Sequence, residues 1–296
     1  MPDASGKGIY FVSGKQSGTL AVFHPRTKQS FDLVSEDATQ PVISPDGRRV
    51  AYLTLAGRGH QEIWVSDVNG SNRVRLASSA SLITLAWSPD SSRFAYSEVV
   101  GAATMLYTIR TDGSGLRQIP WSGANVGWAA FGSDGNTLYF SGYDKDPSKI
   151  TTWRTTPDGA SIETFMEGCG YAQELSPDGR YLLASNAAGS GVGVFEQSLA
   201  ARKCISLRPD LATLILHYSP DGKSFFYETV SRGETDIYRQ PLHDDKLAGP
   251  SQVILKLPIA FRQGYEGNAY DFSRDLSTIV YARPSGQADI YLLSQK

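Results

Sequence analysis

The sequence predicts an all-β propeller built from four-stranded antiparallel blades. Three observations predict it. A unit of about 44 residues recurs along the 296-residue chain. The recurrences share one turn tetrapeptide. The stretches between turns are short and rich in Tyr, Phe, Val and Leu, with none of the 3.6-residue periodicity that a helical repeat of similar length would show.

The turns begin at 44, 88, 132, 176, 219 and 273, so four of the five spacings are 43 or 44 residues. They read Ser44-Pro45-Asp46-Gly47, Ser88-Pro89-Asp90-Ser91, Gly132-Ser133-Asp134-Gly135, Ser176-Pro177-Asp178-Gly179, Ser219-Pro220-Asp221-Gly222 and the weaker Ser273-Arg274-Asp275-Leu276. Pro presets φ at the first corner, Asp bonds nearby backbone, and Gly accepts a positive φ.

A further unit, beginning near residue 2, shows only its tail. Its Gly8-Ile9-Tyr10-Phe11-Val12-Ser13 aligns with the strand from Arg49 to Thr54, so it offers strands two to four. In the complete units a first strand leads into the turn, as in Leu85-Ala86-Trp87. A second follows it, as in Phe94-Ala95-Tyr96-Ser97 or Leu138-Tyr139-Phe140-Ser141. The third strands include Glu62-Ile63-Trp64-Val65 and Asp236-Ile237-Tyr238-Arg239. Short fourth strands such as Val74-Arg75-Leu76 and Cys204-Ile205-Ser206-Leu207 close the units. The unit near 273 supplies three strands, the last being Asp289-Ile290-Tyr291-Leu292-Leu293, and stops. One domain over residues 1–296 is expected. Seven units imply seven blades, with six as the alternative if the two incomplete units merge. Stacking in a closed ring buries both faces of each sheet and protects the strand edges.

Composition narrows the function. The formal net charge is −2 and the pI is near 6.1, so no basic face advertises nucleic acid. No apolar run approaches the roughly 20 residues that span a bilayer, so no membrane insertion by this chain is expected. Residues 1–20 lack a signal-peptide layout, and Met1-Pro2-Asp3 reads as the cut end of something longer. The chain has two cysteines, Cys169 and Cys204. Two are too few for a disulfide framework. Their placement, one at an inner-strand entrance and one on an outer strand, favours buried free thiols over a bridge.

No catalytic constellation is visible, so no enzyme, cofactor or metal is expected. A Gly-x-Ser-x-Gly elbow is absent, and so are a His-Arg-Asp loop and a Val-Ala-Ile-Lys strand. Asp271-Phe272-Ser273 lies on a first strand and reads as structural. Gly189-Ser190-Gly191-Val192-Gly193 opens no helix and reads as a blade loop. His24, His60, His217 and His243 are scattered. His217, on a first strand, reads as a satisfied core histidine rather than a channel group. The recurrent Asp46, Asp90, Asp134, Asp178 and Asp221 read as turn formers, not Ca²⁺ ligands. Trp64, Trp87, Trp128 and Trp153 read as inter-blade core. Glu174 is the one acidic first-strand residue to watch for channel chemistry.

If the first strand is innermost, loops after second strands and loops entering first strands share one face, and the Ser-Pro-Asp-Gly turns share the other. Function favours the loop face. Its candidate partner-binding residues are Arg58, His60, Trp121, Tyr143, Lys145, Tyr171, Arg232 and Arg283. The sixth unit is about ten residues longer than the repeat needs. Part of the excess falls at Pro258–Gly267, which adds Phe261, Arg262, Tyr265 and Glu266. The expected partner is a protein, peptide or small-molecule ligand at the channel mouth.

The repeated Ser-Pro-Asp-Gly turn, followed by a Tyr- or Phe-bearing strand and then Ile-Tyr or Ile-Trp, resembles the TolB-like propeller repeats over nearly the whole chain. The run Tyr270-Asp271-Phe272-Ser273-Arg274-Asp275-Leu276, continuing through Ile279-Val280-Tyr281-Ala282-Arg283-Pro284 to Asp289–Leu293, resembles the C-terminal propeller of membrane-anchored bacterial serine/threonine protein kinases. Gly168-Cys169-Gly170-Tyr171 and Ile119-Pro120-Trp121-Ser122-Gly123 add to it. The resemblance implies a non-catalytic sensor or interaction domain on the extracytoplasmic side. The alternative within the TolB-like group is an access-gating propeller of a serine peptidase or hydrolase whose catalytic domain lies outside this chain.

Overall fold

The turn tetrapeptide closes on its own side chains. In the first copy Gly47 N donates to Ser44 O at 2.8 Å. Ser44 Oγ donates to Asp46 Oδ1 at 2.6 Å, and the same carboxylate accepts Arg48 N at 3.1 Å. Gly47 sits at φ +71°, where a β-carbon is costly. The Ser-to-Asp bond recurs at Ser88–Asp90, Ser176–Asp178, Ser219–Asp221 and Ser273–Asp275. Ser91 and Leu276 replace Gly at φ 58° and 57°. Hydrogen bonds from Ser88 and then Ser92 push the Asp90 carboxyl down to about 2.

The computed structural model describes residues 8–13, 17–56, 59–121, 123, 125–146, 148–186, 193–211, 213, 216–231, 234–243, 246–257, 270–285 and 289–294. Each turn joins an inner strand to a second strand, and the polar loops then return two more strands outward. Blade 1 is Ala38–Ile43, Arg49–Ala56, His60–Asp67 and Val74–Ser79. Blade 2 is Leu82–Trp87, Arg93–Val100, Ala103–Arg110 and Arg117–Gln118. Blade 3 is Asn125–Phe131, Leu138–Tyr143, Thr151–Thr155 and Glu163–Glu167. Blade 4 is Tyr171–Leu175, Tyr181–Asn186, Gly193–Ser198 and Lys203–Arg208. Blade 5 is Leu216–Tyr218, Ser224–Ser231, Glu234–His243 and Gln252–Leu257, with the short Lys246–Leu247 also on its third strand.

Blade 6 is composite. Tyr270–Phe272 and Ile279–Ser285 form its inner half, and Ser17–His24 and Gln29–Val34 form its outer half. The seam pairs Leu20 with Ala282 and Val22 with Val280. The ring therefore has six blades, which corrects the expected seven. The two incomplete units are halves of one blade. Each alone would leave a sheet with an unpaired edge, and merging them removes both edges. The strands left over, Gly8–Ser13 and Asp289–Ser294, pair antiparallel with each other.

Six hydrophobic clusters fill the six blade interfaces. Leu53, Ile63 and Phe94 pack between blades 1 and 2, and Leu106, Ile119 and Phe140 between blades 2 and 3. Leu20, Val22 and Tyr52 lock the composite blade onto blade 1. Burying both faces of each sheet explains why the strands read as nearly continuous apolar runs.

Cys169 and Cys204 are disulfide-bonded, with Cα atoms 5.5 Å apart, which corrects the expected free thiols. Cys169 precedes the inner strand of blade 4 and Cys204 lies on its outer strand, and the segment carrying Cys169 reaches the third and fourth strands of that blade. There Gln197 Nε2 donates to Cys169 O at 3.3 Å. Gln197 is opposite Cys204 in the ladder, so the two sulfurs meet within one inter-blade core.

Candidate functional site: a charged cluster in the central channel

The inner strands line the channel with free edges, and side chains from adjacent blades tie down their N–H groups. Gln61 Oε1 accepts Leu82 N at 2.7 Å. Ser141 Oγ accepts Ala172 N at 3.0 Å, and Asp271 Oδ2 accepts Ile43 N at 2.7 Å. The last bond joins blade 6 to blade 1.

The residue two places before each turn occupies one layer of the channel. In ring order these are Val42, Ala86, Ala130, Glu174, His217 and Asp271. Blades 1–3 thus contribute an apolar half, and blades 4–6 a charged half. His217 Nδ1 lies 3.1 Å from Glu174 Oε2, and its Nε2 lies 2.7 Å from Asp271 Oδ1. Tyr218 N donates to Glu174 Oε2 at 3.0 Å, and Phe272 N donates to Asp271 Oδ1 at 2.9 Å. Arg274, just inside the sixth turn, pairs through Nη2 with Glu174 Oε1.

Burial opposes a charge on His217. The Asp271 charge outweighs that effect, aided by hydrogen bonds to Asp271 and Glu174, and raises the imidazole to about 10. Burial likewise opposes ionisation of Glu174, but Arg274 and His217 hold its carboxyl below the usual range. The cluster is thus two cations on two carboxylates. It is a strut across blades 4, 5 and 6. A histidine held protonated is a poor general base near neutrality.

These groups border a cavity of about 310 Å³ at the turn-face end of the channel. The His217 side chain remains 22% exposed there, so it is a channel group and not the expected core histidine. Trp128 also lines this cavity and is half-buried, unlike Trp87 and Trp153, which are buried as expected. Trp128 lies two places before Ala130 in a regular stretch of the ladder, so alternation aims its indole to the same side as that channel residue. Asp271 is structural, as read, but it also completes the strut.

The loop-face candidates are dispersed. Trp121 packs on Trp153, with ring centroids 4.2 Å apart. Arg283 lies on a strand and pairs with Asp32 at 2.7 Å. His60 and Lys145 are exposed, and Tyr143 and Tyr171 are half-buried at strand ends. Arg58, Arg232, Phe261, Arg262, Tyr265 and Glu266 lie outside the described residues. Sequence reasoning flagged Glu174, set His217 aside and read Asp271 as structural alone. The missed signal was their shared repeat position, visible once the six units are written as a ring.

A ring of six four-stranded blades, closed by pairing its first strands with its last, defines the chain as a β-propeller. The PD40 model, the TolB beta propeller domain, matches residues 7–212, and the chain belongs to that family. Among solved structures it is similar to a putative TolB from Agrobacterium tumefaciens, at 16% identity over 92% of this chain and 99% of that one, with a TM-score of 0.67. It is also similar to an oligogalacturonate lyase in complex with manganese, at 12% identity over 81% and 75%, TM-score 0.58. A third is Pyrococcus horikoshii acylaminoacyl peptidase, at 15% identity over 83% of this chain and 44% of that one, TM-score 0.52. At these identities the likeness shows the fold alone.

Proposed function

We propose that the chain is a non-catalytic binding module working as one domain. Its loop face meets a protein, peptide or small ligand, as the interaction half of a membrane-anchored bacterial serine/threonine kinase. The observation that carries the non-catalytic reading is the pairing in the channel. The carboxylates of Glu174 and Asp271 and both nitrogens of His217 are engaged with one another or with backbone N–H groups. Among the described residues, no group there is poised to exchange a proton with a substrate at neutral pH. The kinase link is supported by the resemblance of residues 270–293. The Cys169–Cys204 bond supports an oxidising, extracytoplasmic location.

The complete reading frame tests this. An upstream kinase domain and one transmembrane segment are expected. An adjoining α/β domain with a Gly-x-Ser-x-Gly elbow would instead establish the gating propeller of a hydrolase. The fold likeness to an acylaminoacyl peptidase supports that second reading.

A further inference from the structure

We propose that the turn-face end of the channel is a binding site for a small organic carboxylate with an apolar body. Arg274 stands where the other turns carry Pro45, Pro89, Ser133, Pro177 and Pro220. The turn itself has no need of a guanidinium. It closes through Leu276 N on Ser273 O at 2.7 Å and Ser273 Oγ on Asp275 at 2.7 Å. Arg274 instead reaches over the cavity to Glu174 and stays 32% exposed.

The other charged groups of the cavity are satisfied. Glu174 accepts from Arg274, His217 and Tyr218, and Asp271 accepts from His217, Phe272 and Ile43. Among the described residues, Arg274 has no acceptor beyond Glu174. The charge with donors left over is therefore the Arg274 guanidinium, a fork of N–H groups that suits a carboxylate. With His217 charged, the cluster sums to zero, so the two protein carboxylates do not repel an incoming anion. The opposite wall is apolar and includes Leu85, Pro45, Pro89 and Trp128. The volume of about 310 Å³ suits a compact ligand rather than a polymer. Arg274 and the turn residues lie at the end opposite the loop candidates, with Trp128 between them and Tyr171 (ring centroids 5.0 Å apart), so failure of this site would leave the binding-module reading standing.

Titration of tryptophan fluorescence with 3-phenylpropanoate tests it, with 3-phenylpropanamide as the uncharged control. Saturable binding of the acid is expected, with a Kd on the order of a millimolar. The amide should bind about tenfold more weakly. Arg274→Gln should weaken the acid by about tenfold and leave the amide unchanged, with Arg274→Lys in between. Trp128→Ala should weaken both. Equal binding of acid and amide overturns the proposal. So does the absence of saturation at concentrations on the order of 10 mM, or acid binding by Arg274→Gln that matches the parent protein. If Arg274→Gln unfolds, the acid-to-amide ratio in the parent protein decides alone.

Discussion

Asp271 holds three groups from three strands of three blades: His217, its own strand's Phe272 N, and Ile43 N. Asp271→Asn removes a buried charge from beside a half-buried imidazolium. A loss of about 3 kcal/mol is expected in urea unfolding. The folded pKa of His217 is raised above its ordinary 6.5 to about 10, so the stability it lends is fully present below pH 6.5 and fades as pH rises through 10. The difference in unfolding free energy between the parent protein and His217→Gln should therefore be largest below pH 6.5 and shrink towards pH 10 and above. A difference that instead grew with pH would show that the fold holds the imidazole neutral. In the turns, a β-carbon on Gly47 would meet nothing within 4 Å, whereas one on Gly179 would come 2.5 Å from Ser133 Oγ on the neighbouring blade. Gly47→Ala should cost about 1 kcal/mol, the left-handed backbone penalty alone. Gly179→Ala should cost more, and equal losses would show that the inter-turn contact has no weight.

At the scale of the blade, the disulfide closes a loop of 35 residues around the inner strands of blade 4. Loop-closure entropy gives about 3–4 kcal/mol for such a loop. Cys204→Ser should shift guanidinium unfolding by that order, and reductant should shift the parent protein equally but leave the variant unmoved. The repeat made the strands of this blade legible, because alternation and turn chemistry act over a few residues. It left the bridge illegible, because the path that brings Cys169 over Cys204 depends on how Phe165 and Met166 pack against the next blade. Trp128 departs from the expected core role for a related reason: it shares a side of its strand with Ala130, and which side of an inner strand borders the channel is decided by how the blades close into a ring.

Across the whole molecule, closure depends on strands from opposite ends of the chain. Leu20, Val22, Leu33 and Val34 are buried against blade 1 from the outer half of blade 6. A chain beginning at Ser35 would lose that half, open the seam and expose the edge of Ile279–Ser285. Its thermal unfolding should lose cooperativity and its solutions should aggregate. A sharp transition at an unchanged Tm would mean that the ring does not rely on the seam. The charged strut crosses the same region, since Asp271 lies on the composite blade and bonds Ile43 of blade 1. Asp271→Asn and an opened seam should therefore weaken the same interface.

By itself, the sequence determined the strand repeat, the turns and the sidedness of the loops. Each follows from the conformational preferences of Ser, Pro, Asp and Gly over four residues and from apolar runs of strand length. Tertiary structure decided the number of blades, the disulfide and the meeting of Glu174, His217 and Asp271. Those are contacts between residues 35 to more than 200 positions apart. Local preference cannot select among the ways a ring may close; the burial of sheet edges and faces does.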